Sequence, residues 1–265
     1  MSICYVSAFL DIGRTNWNNR FSRSIESYFK CFQPFVKLFH SSSKDKMIVF
    51  IDKKHSKDFS ILINGSNIHP IEIDLDFMYN NIPMWKTLER EREIMNSEQY
   101  KNTFPNRLIY PENSVAEYTL INHAKIDFVN YAIQSEEKTE YFCWVDFGYF
   151  QRPENIPDFL LDLNKLNLSK VNYQLLNPIT VEDTDVMYTM LNAPERIGGF
   201  FFFGNRQVLK TYQDLYHSVL KEFQDNNLAD DDQHLALRCF FKNPNLFALH
   251  YHPSWHIALK MFQKN

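Results

Sequence analysis

The stretch Tyr141-Phe142-Cys143-Trp144-Val145-Asp146-Phe147-Gly148-Tyr149 holds the side chain best placed to do chemistry. An apolar run of strand composition ends on a carboxylate and then a turn-compatible glycine, which puts Asp146 at the carboxyl end of a strand, where α/β folds bind their ligands. A carboxylate there suits a hard divalent cation shared with a nucleotide diphosphate, an arrangement that offsets charge developing on a leaving phosphate. Position 148 is glycine, so the second acid of an Asp-x-Asp pair is missing. A turn-capping role for Asp146 therefore stands beside the metal-binding one.

Other constellations could complete a site. The chain opens on Cys4-Tyr5-Val6-Ser7-Ala8-Phe9 and runs into Asp11-Ile12-Gly13-Arg14, where Arg14 could pair with a phosphate or lie in solvent. Tyr118, Asn122 and Lys125 share one stripe at helical spacing; Lys125 either snorkels to water or reaches a phosphate. In Gly198 to Arg206 four consecutive phenylalanines lie between glycines, a pattern for a buried strand with tight ends or for the wall of a sugar site. Asp230-Asp231-Asp232-Gln233 precedes a helix whose cap uses one or two of the acids. Asp232 and Gln233 remain to bind sugar hydroxyls or the reacting anomeric centre. Near the end, His250, His252, Trp255 and His256 fall within seven residues, a density that points to a metal or phosphate role as much as to packing.

The elements that must position these groups are readable from hydrophobic spacing. β-Branched and aromatic runs predict strands over 3–9, 47–52, 68–73, 142–145, 199–203 and 246–249. Apolar residues at three- and four-residue intervals predict helices over 21–39, 115–133, 207–223 and 231–241. Strands alternating with helices argue for an α/β fold, a mixed and mostly parallel sheet flanked by helices, with 1–265 as a single domain. Residues 78–111, bracketed by Pro83, Pro105 and Pro111 around a charged helical run at 86–93, read as a long connection of the kind that forms lids. Asn64-Gly65-Ser66-Asn67 reads as a turn.

Composition narrows the function classes. The 28 basic and 32 acidic residues are well mixed and give a net charge of −4, so no basic stripe advertises a nucleic-acid partner. The four cysteines are far apart without metal-ligand spacing, and read as small hydrophobes in a reducing compartment. No run reaches the length of a membrane span and the start lacks a basic signal-peptide region, so the expected location is the cytoplasm. Aromatic residues make up 16% of the chain, enough both to fill a core and to line a stacking cleft.

In order and spacing these segments resemble the HtrL/YibB family. The likeness rests on the Tyr5-Val-Ser-Ala-Phe opening with Gly13-Arg14, Glu117-Tyr118 with Asn122 and Lys125, Trp144-Val-Asp-Phe-Gly-Tyr149, Gly198 to Gly204, Asp231-Asp232-Gln233 and Trp255-His256. The family's assignment implies a GT-A-like glycosyltransferase fold with a seven-or-so-stranded mixed sheet, and a role in surface polysaccharide or lipopolysaccharide synthesis. It implies a nucleotide-diphosphate sugar donor, UDP-Gal or UDP-Glc, and a glycan or glycolipid acceptor met at the inner face of the membrane, where the protein would make peripheral contact. Ser7, Arg14, Lys125, Asp146 and Gly148 would hold the donor. Mn²⁺ or Mg²⁺ would sit on Asp146 with His256, or His250 in its place, and Asp232 and Gln233 would flank the reacting sugar with retention of configuration. Two rivals remain: an inactive nucleotide-sugar or glycan-binding protein of the same fold, and a metal-dependent phosphoester hydrolase using Asp146, the Asp230–Asp232 run and the histidines.

Overall fold

The computed structural model describes residues 2–17 and 20–264. In chain order the main elements are β1 (Ile3–Phe9), α1 (Ile25–Leu38), β2 (Lys46–Asp52), α2 (Ser56–Leu62), β3 (Ile68–Ile73), α3 (Leu75–Asn81), α4 (Leu88–Asn96) and α5 (Glu98–Thr103). They continue with α6 (Ala116–His123), α7 (Lys125–Ser135), β4 (Tyr141–Val145), β5 (Val171–Leu175), α8 (Val186–Asn192), β6 (Ile197–Asn205), α9 (Arg206–Asp225), α10 (Asp232–Lys242), β7 (Phe247–Tyr251) and α11 (Ala258–Met261).

The seven strands form one sheet in the order β3-β2-β1-β4-β6-β5-β7. β6 runs antiparallel to both neighbours and every other pairing is parallel. This is the mixed, mostly parallel, helix-flanked sheet that the resemblance implied. All six predicted strands are present. The seventh, β5, has the sequence Val-Asn-Tyr-Gln-Leu, whose two amides broke the apolar run that reveals the others. Asn172 and Gln174 are nevertheless fully buried, because each bonds backbone carbonyls: Asn172 those of Asn167 and Lys170, Gln174 those of His252 and Ser254.

Two-residue alternation sorts the side chains onto the two faces. Val6, Phe50, Phe142, Trp144 and Phe202 pack with Trp85, Phe128 and Tyr212 on one side. Tyr5, Val49, Cys143, Phe201 and Phe203 pack with Phe32, Phe35, Phe147 and Tyr149 on the other. Each buried aromatic of this kind contributes about 1.5–3 kcal/mol by leaving water, which accounts for most of the chain's aromatic content.

The helix predicted over 115–133 is two helices joined at Ala124, where ψ falls to −6°. α7 thus begins at Lys125. The predicted start at 21 moves to Ile25 because Ser24 caps α1, its hydroxyl accepting from the Ser27 amide. Within 78–111, α4 and α5 pack Leu88, Ile94, Met95 and Tyr100 into the core, so this segment is a structural layer and not a free lid.

Candidate functional site

Parallel strands β1 and β4 are adjacent and both point their carboxyl ends at one edge of the sheet. Antiparallel β6 brings its first residues to that same edge, where the Asp146 amide donates to the Phe200 carbonyl at 3.1 Å. A cleft opens there as two adjoining cavities, of about 180 and 210 Å³, which share Tyr118, Asn122, Lys125, Asp146 and Gln151. Together they reach the lower range of small-molecule sites.

Lys125 lies at the junction. Its Nζ stands 3.0 Å from Asp146 Oδ1, 2.8 Å from Asp232 Oδ2 and 3.0 Å from the Gly199 carbonyl, so its three donors meet three acceptors. Burial pulls its pKa down, but Asp146 and Asp232 outweigh that and hold it well above the ordinary lysine range, so it stays an ammonium. Asp232 is pushed up by burial, an effect that Lys125 opposes. Trp144 fixes the remaining partner of the group, its indole N–H donating to Asp146 Oδ1 at 2.8 Å.

The first cavity is the cationic one, lined by Arg14, Arg23 and Lys125 with Asp11 and Asp146. Arg14 donates to the Phe21 carbonyl from Nε and Nη2 and to the Tyr28 hydroxyl from Nη1, with its guanidinium over Tyr118. Arg23 lies over the Tyr28 ring, and its Nη1 is 3.0 Å from where a Cβ on Gly148 would stand. A side chain at 148 would press on this guanidinium, which would have to shift to admit it.

The second cavity is lined by Glu112, Asn122, Asp231, Asp232, Gln233, Trp255 and His256 beside Lys125 and Asp146. The run of three aspartates divides by role. Asp230 is buried against His234 (2.7 Å) and Arg107 (3.5 Å). Asp231 caps α10, accepting from the His234 amide. Asp232 alone pairs with Lys125 at the cleft. The side-chain carbonyl of Gln233 is buried without a hydrogen-bond partner among the described residues, an acceptor left for a ligand. His256 has φ +57°, and its ring lies tilted against Phe200 with centroids 4.6 Å apart. Burial lowers its pKa to about 4, so its ring is neutral at pH 7.

Of the residues singled out from sequence, Arg14, Lys125, Asp146, Gly148, Asp232, Gln233 and His256 line this one cleft. Two do not. Ser7 falls between the cleft-lining Ala8 and the core, fully buried in β1, with its hydroxyl unpartnered among the described residues. Alternation along the strand turns it to the Tyr5 face. His250 lies on β7 at the far edge of the sheet, its Nε2 bonded to Asn172 at 2.9 Å and its ring against Phe262. It shares no wall with Asp146. Sequence reasoning missed Arg23 and Gln151; a basic residue before the α1 cap was the signal for the first, and Gln151 carried none.

The donors around Asp146 do not fit a divalent cation. The two carboxylate oxygens that would converge on one already hold an ammonium, and a metal at coordination distance would sit beside that charge. Among the described residues, the three-donor His/Asp group with ligand atoms in mutual reach is Asp230, Asp231 and His234, which includes neither Asp146 nor His256.

The sequence matches the family described as "Bacterial protein of unknown function (HtrL_YibB)" over residues 1–264. Protein HtrL of Escherichia coli (strain K12) is 28% identical over 279 residues, covering 100% of this chain and 93% of that protein. Among solved structures, a glycosyltransferase involved in the glycosylation of the major capsid of PBCV-1 aligns with 95% of this chain and 82% of its own, at a TM-score of 0.42 and 11% identity. A likeness that distant assigns nothing to the site. No helix among the described residues is long and apolar enough to cross a membrane.

Proposed function

The chain belongs to the HtrL/YibB family, and on that premise we propose that its cleft is the active site of a glycosyltransferase using a nucleotide-diphosphate sugar. The observation that carries this reading is the division of one cleft into unlike halves. One half presents the guanidinium groups of Arg14 and Arg23, which suit phosphate oxygens. The other presents the acceptors of Asp232 and Gln233 beside the rings of Trp255 and Phe200, which suit sugar hydroxyls and a sugar face. A diphosphate joined to a hexose spans such a pair, with its anomeric carbon near Lys125 and Asp146.

In this reading the bond between the anomeric carbon and the diphosphate oxygen breaks as the acceptor hydroxyl oxygen bonds to that carbon. The hydroxyl proton passes to the departing phosphate, and configuration is retained. The arginines stabilise the charge that grows on the phosphate, and Asp232 and Gln233 hold the sugar so that acceptor and leaving group stay aligned. UDP-Gal or UDP-Glc is the favoured donor. A lipopolysaccharide, capsule or other surface glycan is the favoured acceptor, met by a cytoplasmic protein at the inner membrane face.

The test is a thermal-shift and calorimetric screen against UDP, GDP, CMP and their common sugars, on wild type, Arg23→Gln and Gln233→Ala, followed by assay of nucleotide release. Stabilisation by one nucleotide sugar, weakened in both variants and accompanied by turnover, is the expected result. Binding without turnover would leave a nucleotide-sugar-binding protein. No binding by any nucleotide refutes the reading.

A further inference from the structure

We propose that side-chain cations, Lys125 and Arg23, occupy the place of a divalent metal, so that this site binds its diphosphate donor without one. The inference rests on the sugar-nucleotide reading above and concerns what neutralises the leaving group. At the end of β4 two positions would build a metal centre, Asp146 and the residue two places on. At the first, the carboxylate is bonded to the Lys125 ammonium, which also holds Asp232 and the Gly199 carbonyl. That is a cation surrounded by oxygens from three separate elements, the coordination pattern of a metal with an amine at its centre. At the second, Gly148 leaves room for the Arg23 guanidinium, whose Nη1 lies 3.0 Å from the missing Cβ. One substitution for a metal ligand and one for the metal itself thus fall at the same turn.

The two cations divide the task. Lys125 has spent its donors on Asp146, Asp232 and Gly199, so it neutralises those acids and fixes their geometry as a positioning residue. Arg23 bonds Cys31 Sγ through Nη2 at 3.0 Å, and its Nη1 lies beside Gly148, which with Arg23 lines the first cavity, where phosphate oxygens would come. A guanidinium beside a phosphate supplies charge and directed donors together.

The test uses the intact chain. Mn²⁺ binding is followed by electron paramagnetic resonance on wild type, Lys125→Ala and Asp146→Asn, and binding of the sugar nucleotides by calorimetry in EDTA and in Mn²⁺. Wild type should leave Mn²⁺ free in solution and bind its donor equally in both buffers, within about twofold. Lys125→Ala, which vacates the space between two carboxylates, should gain Mn²⁺ binding and lose at least about tenfold in donor affinity in EDTA, with Mn²⁺ restoring part of it. A lysine with only a packing role would not produce that gain. Tight Mn²⁺ binding by wild type that disappears in Asp146→Asn, or donor binding abolished by EDTA, overturns the proposal while leaving the glycosyltransferase reading intact. If no sugar nucleotide binds wild type in either buffer, that reading fails instead, and the Mn²⁺ resonance of wild type still decides between ammonium and metal, even where Lys125→Ala does not fold.

Discussion

Replacing Gly199 with alanine tests the geometry of the cleft without removing a charged group. A Cβ at 199 would stand 2.3 Å from Asp232 Oδ2 and 2.8 Å from its Cγ, where atoms do not approach below 3.0 Å. The carboxylate has nowhere easy to go, since it is tied to Lys125 at 2.8 Å and closed in at the start of α10. Overpacking of this kind costs about 1–3 kcal/mol, and in a chain of this size each kcal/mol lowers Tm by roughly 2–4 °C. The catalytic penalty should be larger, because a reacting geometry displaced by about 1 Å loses on the order of a hundredfold in rate. Gly204→Ala is the control on the same strand: its Cβ would stand 3.0 Å from Cγ and 3.2 Å from Cδ2 of the fully buried Leu209, an overpacking of the same kind that involves no cleft residue. Denaturant unfolding and release of nucleotide from the donor should therefore show two variants of comparable stability, of which only Gly199→Ala is catalytically crippled. Equal turnover by both would refute the placement of Asp232 in the working site.

Three further outcomes follow from the same contacts. His234 is driven down by burial but held up to about 9 by Asp230 and Asp231, so its stabilisation, on the order of 3 kcal/mol, is complete below the unfolded pKa near 6.5 and disappears as pH rises through 9; urea unfolding of His234→Gln against wild type should show a gap at pH 6 that narrows above pH 9. Ser7→Ala removes a buried hydroxyl with no partner among the described residues and should leave stability equal or raised by up to about 1 kcal/mol, with donor binding unchanged in calorimetry, whereas weakened binding would return Ser7 to the site. Trp144→Phe keeps an aromatic ring between Phe128 and Phe202 but deletes the hydrogen bond that orients Asp146, so it should lose about 0.5–1.5 kcal/mol of stability and a larger share of turnover.

How much of this was legible in the sequence depends on the range of the interactions involved. Strands β1 to β4 are local apolar runs and were read correctly, and Asp146 follows from where such a run ends. β5 was not, because Asn172 and Gln174 are buried through carbonyl partners up to 80 residues away, and no local window contains that compensation. The stripe of Tyr118, Asn122 and Lys125 was visible as helical spacing, and all three line the cleft. What lay beyond reach was the choice between a lysine in solvent and one bonded to Asp232, 107 residues away. Histidine density pointed to His250 and His256 together, yet the strand carries His250 to the sheet edge while the turn after it returns His256 to the cleft.

The reversal of β6 explains why these groups meet at all. Binding residues in a parallel sheet come from carboxyl ends, and a strand running parallel to β4 in the place of β6 would carry Gly199 and Phe200 to the opposite edge, away from Asp146. Because β6 enters at the Asp146 edge, its first turn delivers the Gly199 carbonyl to Lys125 and the Phe200 carbonyl to the Asp146 amide. Glycine at 199 then lets α10 approach closely enough for Asp232 to complete the shell. The break at Ala124 does the matching work on the other side, starting a new helix at Lys125 so that its long side chain crosses from α7 to the strand ends. An ammonium buried so deeply would be expelled unless every donor were met, and losing one partner of such a pair costs about 3–5 kcal/mol. Lys125, Asp146, Gly199 and Asp232 are therefore one unit whose members cannot be exchanged singly. A double-mutant cycle on Lys125→Met and Asp232→Leu should show it: each single change destabilises strongly, the pair together less than the sum of the two, and simple additivity would dissolve the unit.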